Sequence, residues 1–116
     1  MARLLRKRDG VVLADFVTVA NRFWSRCVGL LGRRSLEPRH GLLITPCAGV
    51  HTFGMRFPLD LVFLSRSWEV VRVVRNLPPN RMARGGRGAY CVLEMGAGNL
   101  PADTPAPGDI VTLSNS

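Results

Sequence analysis

The stretch Leu59-Asp-Leu-Val-Phe-Leu64 is apolar at every position but one. A half-wet strand alternates apolar and polar residues; this run does not, and suits a central strand covered on both sides. The exception is Asp60. A charge in apolar company is costly unless it is paired or hydrogen-bonded. The approach to it, His51-Thr-Phe-Gly-Met-Arg-Phe-Pro-Leu-Asp60, opens on a histidine. A second carboxylate, Glu94, sits in similar surroundings in Cys91-Val-Leu-Glu-Met-Gly-Ala-Gly98. Such residues are either internal struts or members of a site.

Around this run the chain is a series of short β-branched segments separated by breakers. Val11 to Ala14, Phe16 to Ala20, Gly41 to Thr45, Cys47 to Phe53, Leu59 to Leu64, Trp68 to Arg75, Ala89 to Met95 and Gly108 to Leu113 read as strands. Asn21 can cap one short helix over about Arg22 to Gly32. There Phe23, Cys27, Leu30 and Leu31 form an apolar stripe, and Arg22, Arg26 and Arg33 a cationic one. The breaker-rich segment from Asn76 to Gly88 reads as a solvated loop. No internal repeat is present. The pattern predicts a mainly β fold, a compact antiparallel sandwich or barrel of about seven or eight short strands with one short helix.

At 116 residues the chain is expected to form a single domain. Its 47% hydrophobic content favours a folded globule over disorder. Residues 1–9 carry four of the cations and are expected to be a flexible basic N-terminus. They contain no apolar core long enough for a signal peptide, and no later window is long enough to span a membrane, so a cytoplasmic location is expected. The three cysteines, Cys27, Cys47 and Cys91, are odd in number and lack C-x-x-C spacing, which argues against a disulfide framework and a four-cysteine zinc site. No H-x-H or H-E-x-x-H occurs either, so neither a metal nor a cofactor is expected. The net charge of +8 is almost all arginine, Lys7 being the single lysine. Arginine suits phosphate and carboxylate recognition, and it also follows from a GC-rich genome.

Candidate chemistry rests on few residues. Asp60 shares a strand face with Val62 and Leu64, and Glu94 with Val92 and Tyr90. The helix arginines are the available partners. His51 could act as a base, a proton shuttle or a ligand. Cys47 and Cys91 could be nucleophiles only if His51 lies beside them. Phe53 and Met55 read as core or pocket wall. Arg81-Met-Ala-Arg-Gly-Gly-Arg-Gly lacks the interleaved aromatics that stacking on bases requires.

Four pieces of the chain resemble the domain of unknown function 192 family. They are Arg26-x-x-Gly29-Leu-x-Gly32-Arg33; His51-Thr-x-Gly54-Met55-x-x-Pro58-Leu59-Asp60-x-x-Phe63-Leu64; Leu93-Glu94-x-Gly96-Ala97-Gly98; and Pro107-Gly108-Asp109-x-Val111. The resemblance implies a small β-rich fold with a helix and no established activity. In many relatives the segment at His51 reads phenylalanine-tryptophan-methionine, which implies a wall residue there. The pattern rests instead on the positions of Arg26, Arg33, Asp60 and Glu94.

Three functional readings follow. The first is a binding module for a small polar or anionic ligand, held by Arg26, Arg33, Met55, Asp60 and Glu94. The second is an acid–base hydrolytic enzyme using Asp60 or Glu94 with His51. The third, ranked below them, is an arginine-rich nucleic-acid-binding protein. The sequence assigns no oligomeric state.

Overall fold

The Leu59–Leu64 run is buried at every position, and so is Cys91–Gly96 beside it. This computed structural model describes residues 2–20 and 37–115. The helix expected over Arg22 to Gly32 lies outside the described residues, and with it Cys27, Arg26 and Arg33. Among the described residues there are nine strands: β1 Ala2–Arg6, β2 Val12–Ala20, β3 His40–Ile44, β4 Gly49–His51, β5 Leu59–Leu64, β6 Val70–Leu77, β7 Met82–Arg84, β8 Cys91–Gly96 and β9 Val111–Asn115. The mainly β class is as the sequence predicts. No helix of the described residues is long and apolar enough to cross a membrane.

Seven strands form one sheet in the order β6-β5-β8-β3-β2-β1-β9, and β4 and β7 pair separately. The sheet is mixed rather than purely antiparallel, because β2 and β3 run parallel. A parallel pair cannot be joined by a tight hairpin and needs a longer crossover; the chain supplies nineteen residues between Ala20 and His40. The sheet curls until its edge strands meet at one corner. There Val70 N–H donates to the Asp109 carbonyl at 2.8 Å and Val111 N–H to the Trp68 carbonyl at 2.9 Å.

Two cores result, one on each side of the sheet. Leu4, Leu13, Leu43, Val62, Leu93 and Met95 fill the interior of the curl. Leu59, Leu61, Phe63 and Val92 point outward from β5 and β8, and are covered by Phe57, Leu77 and Ala83. The β4–β7 ribbon, called the arm below, supplies part of this outer cover. Its pairing is Gly49↔Arg84, Val50↔Ala83 and His51↔Met82. Val50 and Ala83 face the sheet, so the residues on either side of them face away.

Three expectations are corrected. The N-terminus is not a flexible tail: β1 lies between β2 and β9, with Leu4 fully buried. Two of its arginines are absorbed by acids. Arg3 reaches Asp15 at 3.1 Å; Arg6 reaches Asp9 at 2.6 Å and Asp109 at 3.4 Å. Arg6 holds the Asp9 carboxyl down at about 2, so this link persists above the ordinary carboxylate range and is lost only as pH falls through about 2. Second, Asp15 does not end a strand; Val12 to Ala20 is continuous, and Asp15 also pairs with Arg39. Third, the loop from Asn76 to Gly88 contains β7.

Gly85, just after β7, shows how closely the arm lies on the sheet. A Cβ there would come within 2.4 Å of the Ala89 Cβ and 2.6 Å of the Phe63 ring. Gly85→Ala should therefore destabilise the fold by roughly 1–3 kcal/mol through overpacking. Phe63→Leu in the same chain should restore part of the loss. Urea denaturation checks both, and an unchanged G85A midpoint would contradict this packing.

Candidate ligand-binding surface

Asp60 stands at the start of β5, and its two oxygens have separate tasks. Oδ1 accepts the Asn76 N–H at 2.8 Å, and Oδ2 the Gly98 N–H at 2.9 Å. Both donors have left-handed backbone, at φ 58° and 85°. The carboxylate thus ties the end of β6 and the turn after β8 to the head of β5. At 2% exposure it holds the fold, as a buried acceptor with charge-assisted bonds should.

Glu94 is equally buried, at 4%, but on the other side. Asp60 is the register partner of Met95, which faces the interior core; Glu94 is the partner of Leu61 and Leu42, on the outer face. The two carboxylates therefore point to opposite sides of one sheet. His51 is exposed at the end of β4. Met55 is half-buried against the outer core, and its N–H donates to the Thr52 carbonyl at 3.1 Å. Arg26 and Arg33 lie outside the described residues. The structure does not bring Asp60 and Glu94 into one pocket.

Among the described residues no hydrogen bond joins a cysteine to His51. Burial, with the neighbouring Cys47 adding to it, pushes the Cys91 thiol up to about 11, so it stays protonated at neutral pH. Cys47 Sγ donates to the Gly49 carbonyl at 3.0 Å. Among the described residues no three His, Cys, Asp or Glu side chains are grouped to hold a metal ion.

What the His51-to-Asp60 run builds is a clip, and its centre is Thr52, fully buried. The Thr52 N–H donates to the Arg81 carbonyl at 2.8 Å. Its Oγ1 donates to the Pro78 carbonyl at 2.7 Å and accepts the Arg81 N–H at 2.9 Å. Its carbonyl accepts the Asn80 N–H at 3.1 Å. One threonine thereby locks the two strands of the arm together, and Gly54, at φ 81°, turns the chain back toward the sheet.

The clip presents the side chains beside it to solvent. Phe53 is 50% exposed and Met82 63%, against the expectation that Phe53 packs inward. The His51 and Phe53 rings are 5.5 Å apart and tilted by 30°. Met82 is the cross-strand partner of His51, and Arg84 lies on the same face of β7 as Met82. Arg81, also exposed, directly precedes β7.

Charge is divided unevenly over the molecule. Arg3, Arg6 and Arg39 all have carboxylate partners. Among the described residues none lies within ion-pair distance of Arg8, Arg56, Arg66, Arg72, Arg75, Arg81, Arg84 or Arg87. Arg66 lies over the Tyr90 ring at 4.3 Å. Arg72 donates to the Arg84 carbonyl, and Arg75 to the Thr104 carbonyl at 3.2 Å. Both belong to edge strand β6, where charge also guards an open edge. Arg81, Arg84 and Arg87 have no such task, apart from a 3.4 Å bond from Arg81 to the adjacent Asn80 carbonyl. Thr52, Phe53, Met82, Arg81 and Arg84 were not legible as a group; the alternation Arg81-Met-Ala-Arg84, with Ala83 turned inward, is the signal that carries them.

Residues 5–113 match the DUF192 family, described as Uncharacterized ACR, and the chain belongs to that family. No match is found among curated proteins. Two solved structures share the fold. A protein of unknown function from Novosphingobium aromaticivorans is 21% identical, with a TM-score of 0.78, covering 96% of this chain and 82% of its own. A Sinorhizobium meliloti protein described as a "putative transcription regulator" is 26% identical, with a TM-score of 0.77, covering 96% and 90%.

Thr52→Val should leave the Pro78 carbonyl and the Arg81 N–H without their partner. The expected loss is about 1–3 kcal/mol, with faster amide exchange at Arg81 and Asn80. Thr52→Ser should retain most of the stability. A T52V protein as stable and as protected as the parent would contradict the clip.

Proposed function

We propose that the chain, as a member of this uncharacterised family, is a binding module for anionic ligands, engaged through the arm rather than through Asp60 and Glu94. The observation that carries this reading is the division of charge. On the β1–β2 side Arg3, Arg6 and Arg39 are neutralised by Asp9, Asp15 and Asp109, with Arg8 the exception among the described residues. Those of the arm have no carboxylate beside them among the described residues. Cations without partners raise the local potential and draw anions, and the planar fork of arginine suits phosphate or carboxylate oxygens. A polyanion would also suit a transcription regulator, the description carried by the Sinorhizobium meliloti protein.

Met55 belongs to this reading as a wall residue beneath the clip, with His51 at the rim. The Cys91 thiol is free, which suits a reducing compartment and supports a cytoplasmic setting.

The test is calorimetric titration with inorganic polyphosphate at low salt. The parent should bind, with affinity falling steeply as salt rises. Replacing Arg81, Arg84 and Arg87 together by glutamine should weaken binding roughly tenfold or more. Replacing Arg3 and Arg39 by glutamine should leave it nearly unchanged. Equal losses in the two variants would mean that net charge, not the arm, is responsible.

A further inference from the structure

We propose that the outer face of the arm takes unpaired bases of single-stranded nucleic acid. His51 and Phe53 supply the stacking surface, and Arg81 and Arg84 the phosphate contacts. This rests on the anion-binding reading and narrows it to a polyanion that carries flat rings.

Three observations converge. First, Phe53 and Met82 are held half or more exposed although the outer core lies directly beneath them. They cannot turn inward, because Val50 and Ala83 already occupy the sheet-facing positions of the ribbon. Second, the two rings are preorganised. Thr52 sits between them in the chain and is tied to Pro78, Asn80 and Arg81, so a ligand would meet a fixed platform. Ordering of the protein then takes little from the affinity. Third, Arg84 shares the outward face of β7 with Met82, and the exposed Arg81 directly precedes that strand. A stacking surface with arginines nearby is the arrangement that tracks a single strand, its bases on the rings and its backbone on the charges.

The same chemistry disfavours other occupants. A duplex keeps its base faces stacked, so exposed rings gain nothing from it. A lipid surface needs a broader apolar face than one phenylalanine and one methionine.

Fluorescence anisotropy with two labelled strands of equal length tests this, one an oligothymidine and the other an abasic strand with the same phosphates. The parent should bind the oligothymidine roughly tenfold more tightly. Phe53→Ala should bring the two strands to similar affinity, whereas Phe53→Trp should keep the difference. Thermal midpoints of both variants, close to that of the parent, would confirm that they fold. Equal binding of the two strands by the parent would overturn the stacking inference and leave the anion-binding module intact. Failure to bind either strand, with no binding of polyphosphate, would overturn both. Tighter binding to phosphatidylglycerol vesicles than to the oligothymidine would overturn the inference in favour of a membrane surface.

Discussion

Strands β5 and β8 are buried on both faces, and the rest of the architecture answers to that. A sheet that must be covered on two sides needs a second layer, and a chain this short has little to spare for one. The curl of the sheet covers the inner face with its own side chains. On the outer face, the arm and the segment around Phe57 and Leu77 cover β5 and part of β8. Phe63 is the point of contact, fully buried and tight against Gly85.

A layer made of a three-residue strand pair has few backbone bonds of its own. Polar side chains supply the remainder. Thr52 joins the strands of the arm, Asp60 joins β5 to the end of β6 and the turn after β8, and Asp109 accepts the Ala106 N–H at 2.9 Å in the turn that leads to β9. That bond, with Arg6 beside it, holds the Asp109 carboxyl below the usual range. Each of these residues belongs to a segment of the family pattern. Polar residues placed by a pattern of this kind look like a catalytic set in the sequence, and here they are fasteners. Their consequence for function is indirect: they fix the orientation of the side chains next to them.

Much of the fold was legible because burial leaves a mark on composition. The lack of alternation in Leu59–Leu64 identified a central strand, and Gly54 and Pro58 marked the interruption before it. What escaped notice had its signal masked by charge. β1 reads as a basic tail because Arg3 and Arg6 flank Leu4 and Leu5, and only the distant acids Asp15 and Asp109 make those cations compatible with a strand. β7 is hidden for a similar reason, since Arg81 and Arg84 sit among glycines and prolines. The relation of Asp60 to Glu94 could not be read at all. Alternation places each on a face of its own strand, but the register of β5 against β8 decides whether those faces coincide, and register is a long-range property.

The arm covers the core, and in the proposed function the same element is the platform for an anionic ring-bearing ligand. The most direct measurement is an amide chemical-shift titration of the isotopically labelled protein with the oligothymidine. Shifts should concentrate at His51, Phe53, Arg81, Met82 and Arg84, with the amides of Asp60, Gly98 and Glu94 little moved. Shifts centred instead on Asp60 and Gly98, or on Glu94, would contradict the proposal.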